Sequence, residues 1–102
     1  MNPIQEEAAR LIAIEIARLT DVADAAACAA LIAQRSAVDA RLNYQSARTT
    51  AAANAMRIAS INEYLAVDAL IDAGDAVKAG RAARELLITA LRGEEAERSC
   101  TV

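Results

Sequence analysis

Three ionisable side chains stand among apolar neighbours. Glu15 falls between Leu11 and Leu19, Glu63 between Ala59 and Val67, and Arg84 between Gly80 and Ile88, so each sits one helical turn from its apolar neighbours on either side. Two carboxylates and a guanidinium entering one seam have three possible uses. Their stems can lie along apolar surface with only the heads in water. They can form a packed ion pair that fixes register, since an unpaired charge there would be strongly penalised. They can also supply an acid and its orienting arginine to a ligand site. Glu63 and Arg84 lie at nearly equal distances from Gly74, which makes them the candidates for a buried ion pair across a helical hairpin. Nothing beside them supplies the nucleophile, the metal or the second acid that would complete a catalytic site.

The absences limit the chemistry further. The chain has no histidine, which removes the commonest metal ligand and the usual general base near neutral pH, and with them zinc sites, Ser-His-Asp triads and Cys-His pairs. Cys28 lies in an alanine run and Cys100 near the C-terminus, without ligand spacing. Cys28 reads as a small packed residue and Cys100 as a free, exposed thiol suited to a reducing compartment. No metal or cofactor is expected, and the chain is not expected to be an enzyme.

The elements that would position these residues are helical. The 102 residues carry a net charge of −3, with two Tyr and neither Phe nor Trp. Alanine and arginine favour helix, and almost nothing alternates with the period of two that a half-buried strand requires. The fold class is therefore all-α, with a core of Ile, Leu, Val and Ala that is thin for a monomer.

In chain order, Asn2-Pro3 with Gln5 is a helix start of the capping-box kind. Ile4, Ala8, Leu11, Ile12 and Leu19 share the first helix face, and Thr20 or Asp21 caps a second helix. Ala25, Ala29, Ala33 and Ala37 form a small-residue seam on that second helix, with Leu31, Val38 and Leu42 on another side. Polar residues from Asn43 to Thr50 predict a turn or kink. The third helix carries Met56, Val67, Leu70 and Ile71 on one face and Ile58, Ile61 and Leu65 on nearly the opposite one. Ala73-Gly74-Asp75 predicts a tight connection to a fourth helix that carries Val77, Leu87, Ile88 and Leu91. The expected architecture is a four-helix, mainly antiparallel bundle, with helices near 3–19, 22–45, 50–73 and 76–92. Residues 1–93 form one helical domain in this reading, and 94–102 an acidic, disordered tail.

Glu63-Tyr64, Asp68 to Asp75 and Arg84-Glu85-Leu86-Leu87 together resemble the last helix pair of the FCD ligand-binding domain of GntR-type transcription regulators. Tyr64 and Leu86 stand where that family has histidine metal ligands, so the resemblance brings no metal site and is too short for a family assignment.

Function is read from uncovered surface. Leu31, Val38, Leu42, Ile58, Ile61 and Leu65 form second apolar faces on the two central helices, and a two-fold contact between copies is the commonest way to cover such faces. The expectation is a non-catalytic protein-interaction or oligomerisation module that forms a homodimer or larger oligomer. One alternative is a small acidic inhibitor that docks on a basic surface of a nucleic-acid-binding complex, as in mobile elements. Another is a small helical ligand-binding protein or enzyme that uses Arg84, Glu63 and Glu15. Direct nucleic-acid binding is disfavoured by the negative charge, the sparse arginines and the lack of aromatic platforms. Glu6 and Glu7 stand where a signal peptide would be basic, and no apolar run approaches the ~18–20 residues of a membrane span. A cytoplasmic location is the corresponding expectation.

Overall fold

The computed structural model describes residues 2–100, with the side chains of 95 and 98–100 outside the description, and it contains two helices rather than four. Helix α1 spans Pro3–Ala47 and helix α2 spans Thr50–Cys100. They form one antiparallel hairpin measuring 81 × 18 × 13 Å.

The predicted start and the predicted central turn are both present. Asn2 Oδ1 accepts from the Gln5 backbone N–H at 2.8 Å, and Gln5 Oε1 accepts from the Asn2 N–H at 3.1 Å, a capping box ahead of Pro3. At the far end of α1, Arg48 adopts φ 48° and ψ 35°, the left-handed conformation that stops a helix, and its N–H donates to the Tyr44 carbonyl at 2.9 Å. Thr49 Oγ1 then accepts from the Ala52 N–H at 3.1 Å and caps the start of α2. Two residues therefore reverse the chain.

The other two predicted breaks are absent. At Leu19-Thr20-Asp21 the helix continues, because Thr20 Oγ1 donates to the Ile16 carbonyl at 2.8 Å and so satisfies its hydroxyl inside the helix instead of capping a new one. At Ala73-Gly74-Asp75 it continues as well, and no glycine has positive φ. A helical glycine costs only about 1 kcal/mol relative to alanine, which burial of the surrounding seam offsets. The stretch 94–100, expected to be disordered, continues α2 and is tied to the other end of the chain. Gln5 Nε2 donates to Glu94 Oε2 at 2.7 Å. Thr101 and Val102 lie outside the described residues.

The seam explains why two long helices form. On α1 the residues facing α2 advance by alternating three and four: Ile12, Ile16, Leu19, Ala23, Ala26, Ala30, Ala33, Ala37, Ala40 and Tyr44 are all buried or half-buried. On α2 the same steps run through Ala52, Met56, Ala59, Glu63, Ala66, Leu70, Ala73, Val77 and Gly80, and resume at Leu87 and Leu91. This is the 3.5-residue repeat of a coiled-coil seam, and it passes through Thr20 and Gly74 without losing phase. The loop half of the seam is mostly alanine, which allows close backbone approach. The distal half uses larger residues, with Gly80 making room for Ile16 and Leu19: a Cβ there would lie 3.4 Å from each.

The expected alanine seam is partly correct. Ala33 and Ala37 face the partner helix, whereas Ala25 and Ala29 are exposed. A strict step of four drifts off a helix face, and alternating three and four does not. Cys28, expected to be packed, is exposed, whereas the Cys100 thiol falls outside the described side chains. Of the faces assigned to the Gly74 hairpin, Met56, Val67, Leu70, Val77, Leu87, Ile88 and Leu91 are buried or half-buried and Ile71 is exposed. α1 covers them, since they do not fold onto one another.

Gly74 provides a test of continuity. A Cβ at this position meets nothing within 4 Å, so Gly74→Ala should raise unfolding free energy by about 0.5–1 kcal/mol in urea titrations. A turn at Gly74 would make the same substitution destabilising. Ala37 is fully buried, so Ala37→Leu should wedge the helices apart and cost about 1–3 kcal/mol.

Candidate functional site

The three ionisable residues do not converge. Glu63 and Arg84 lie on one helix, three heptads apart, a separation of about 32 Å at 1.5 Å per residue. Without a turn at Gly74 they cannot meet across a hairpin. The helix pair on which the FCD resemblance rests is likewise a single uninterrupted helix from residue 63 to residue 87.

Each charge has its own setting. Glu63 occupies a seam position, and its Oε2 accepts from Arg41 Nη2 at 3.5 Å, with the side chains 27% and 46% exposed respectively. The pair spans the two helices, and Arg41 takes the place expected of Arg84. Arg41 flanks the seam one turn beyond Ala37, and a helical side chain leans toward its own N-terminus, which on α1 is the direction of Glu63. That lean is the sequence signal for the true partner. Arg84 falls on the seam repeat but is exposed.

Glu15 is exposed and forks onto Arg18 within α1, with Arg18 Nε donating to Glu15 Oε2 at 2.9 Å. The Arg18 guanidinium holds the Glu15 carboxyl below the usual carboxylate range, chiefly through that hydrogen bond. Arg10 and Glu7 repeat the arrangement two turns nearer the N-terminus, Nε to Oε2 at 3.0 Å. Such exposed pairs, screened by solvent, contribute little to a helix and do not form a pocket. Among the described residues, no group of three or more His, Cys, Asp or Glu side chains gathers as a metal site would require.

What the structure does gather is apolar surface. Leu31, Val38, Leu42, Ile58, Ile61 and Leu65 all lie away from the seam, with exposures between 47% for Val38 and 60% for Ile58. Leu31 and Val38, with Gln34, Arg35 and Asp39, line a shallow groove on the outer face of α1. A second apolar patch surrounds Pro3, Ile4 and Leu11 near the N-terminal end. By contrast, the buried residues are Ala30, Ala37, Ala52, Ala59, Val77 and Leu91, and among the described residues no large side chain is completely enclosed. No helix is long and apolar enough to cross a membrane among the described residues.

No protein-family model matches the chain, and neither a curated protein nor a solved structure matches it.

The electrostatic arrangement makes one quantitative prediction. A double-mutant cycle of Arg41→Met with Glu63→Gln should give a coupling of a few tenths to about 1 kcal/mol, as for partly exposed pairs. The cycle pairing Arg84→Met with Glu63→Gln should be additive. Coupling at Arg84 and none at Arg41 would contradict the geometry.

Proposed function

We propose that the chain is a non-catalytic helical association module, a hairpin that completes its core by binding a further helical surface, in the first place another copy of itself. The observation that supports this reading is the inversion of large and small residues: alanines fill the intrachain seam while Leu31, Val38, Leu42, Ile58, Ile61 and Leu65 face outward.

Area gives the scale of what is left uncovered. The hairpin exposes 7433 Å², whereas a compact monomer of 10.7 kDa would expose about 5,500 Å². Its Cα radius of gyration is 22.9 Å, against about 13 Å for a compact domain of this length. The excess of about 1,900 Å² per chain is more than twice the roughly 800 Å² that each partner buries in a standard interface between two proteins. Burying one large aliphatic side chain is worth roughly 1.5–3 kcal/mol. Covering two such stripes is therefore comparable with the whole stability of a small domain, about 5–15 kcal/mol.

Sedimentation equilibrium tests the reading. The wild type should be associated at micromolar concentration, and the Val38→Glu/Leu65→Glu double variant, which places a charge in each stripe, should be monomeric with its helix retained by circular dichroism. A monomeric wild type, or a double variant that remains fully associated, would contradict the proposal.

A further inference from the structure

The outer face of α1 has a spacing that reads the same in both directions. Leu31, Arg35, Val38 and Leu42 follow one another at steps of four, three and four, a second stripe of coiled-coil spacing on the side away from the intrachain seam. Reversing the chain direction about a point between Ser36 and Ala37 brings Leu31 opposite Leu42, and Arg35 opposite Val38 with Asp39 beside it. The stripe is therefore complementary to itself in antiparallel pairing.

The charges agree with that register. Arg35 and Asp39 line the groove with Leu31 and Val38, and among the described residues neither makes an ion pair or side-chain hydrogen bond. A two-fold axis would set each Arg35 against the other copy's Asp39, forming two equivalent pairs. The stripe on α2 lacks this property. Beyond Ile58, Ile61 and Leu65 the same spacing runs into Asp68, Asp72 and Asp75, three acids with no basic residue at the stripe positions between or opposite them, Arg57 and Lys78 flanking its two ends.

We infer that the chain forms a two-fold dimer through α1, antiparallel to α1 of a second copy, with Leu31 packing on Leu42 and Arg35 pairing with Asp39 across the interface. This inference rests on the reading of the outer faces as association surfaces, and it names which face and which register. A two-fold contact of this kind uses one patch twice and closes on itself. Overlap is confined to the loop-side part of α1, so the two hairpins point away from each other and the dimer is longer than one hairpin. The stripe of α2 lies on the outside of this dimer.

Charge reversal and one distance test the register. Arg35→Asp and Asp39→Arg should each weaken dimerisation about tenfold or more by setting like charges opposite each other, and the double variant should restore it. Val38→Glu alone should dissociate the dimer, whereas Leu65→Glu should leave it intact. Exposed Cys28 accepts a spin label in a Cys100→Ser chain. The two Cys28 positions should lie about 26 Å apart along the helix axes, with the helices separated by about 8–10 Å. A parallel in-register pair would bring the labels within about 10 Å, whereas pairing through α2 sets three interhelix spacings, about 24–30 Å, between them and is separated from the α1 dimer by the Leu65→Glu variant. A label distance within about 10 Å, failure of the double reversal to restore binding, or dissociation by Leu65→Glu alone would overturn this interface while leaving association itself standing. A wild type that stays monomeric would overturn both.

Discussion

The packing of alanine against alanine along the loop half of the hairpin is the constraint from which the rest of the architecture follows. Ala30, Ala37, Ala52 and Ala59 are the most enclosed residues there, and their small side chains allow the two backbones to run close together. Close approach gives dense contact but removes little apolar area per residue, since an alanine has only one methyl group to bury. The hairpin therefore gains its stability over length, through 45 residues of α1 and 51 of α2, with larger residues such as Ile16, Leu19, Val77 and Leu91 securing the distal end. The large aliphatic side chains that a compact domain would place inside are directed outward along the same helices, because the narrow seam has no room for them.

The helical class, the Asn2-Pro3 start and the reversal before Thr50 were legible because each has a local cause: composition, a capping box, and a run of residues that compete for backbone hydrogen bonds. Thr20-Asp21 and Gly74-Asp75 were misleading for the same reason. Their residue types suit a cap, but caps are local preferences worth about 1 kcal/mol, and a continuous seam on a second helix outweighs them. The deciding signal is the phase of the small and apolar residues. From Ile12 to Tyr44, and from Ala52 to Gly80, the steps of three and four never reset, whereas a real turn would have broken the count. The position of the turn also decides the partners of the charges. With a fold at Gly74, Glu63 would face Arg84; with the fold at Arg48-Thr49, Glu63 faces α1 and finds Arg41.

The exposure of the outer aliphatic residues was more legible than the candidate ion pair. Leu31, Val38, Leu42, Ile58, Ile61 and Leu65 form a surplus of apolar faces that helix geometry within each segment defines, however many helices the chain contains. Their exposure follows from the same periodicity. The polar residues required a tertiary partner to be known, and one misplaced turn was enough to supply the wrong one. In the hairpin, Glu15, Glu63 and Arg84 are three separate surface or seam charges, and the chemistry that their convergence would have allowed has no common location. The physical interest of the chain therefore shifts from its charges to its outer aliphatic stripes, which a two-helix structure cannot cover by itself.

The uninterrupted course of α2 is the claim on which seam, surface and partner all depend, and one distance tests it. Asn62 and Ala83 are both exposed and occupy equivalent positions three heptads apart. Spin labels at Asn62→Cys and Ala83→Cys, in a chain with Cys28→Ser and Cys100→Ser and diluted with unlabelled protein, report their separation by double electron–electron resonance. A continuous helix predicts about 32 Å. A separation near the interaxial spacing of packed helices, about 10 Å, would mean that the chain turns at Gly74, and would contradict the hairpin of two long helices.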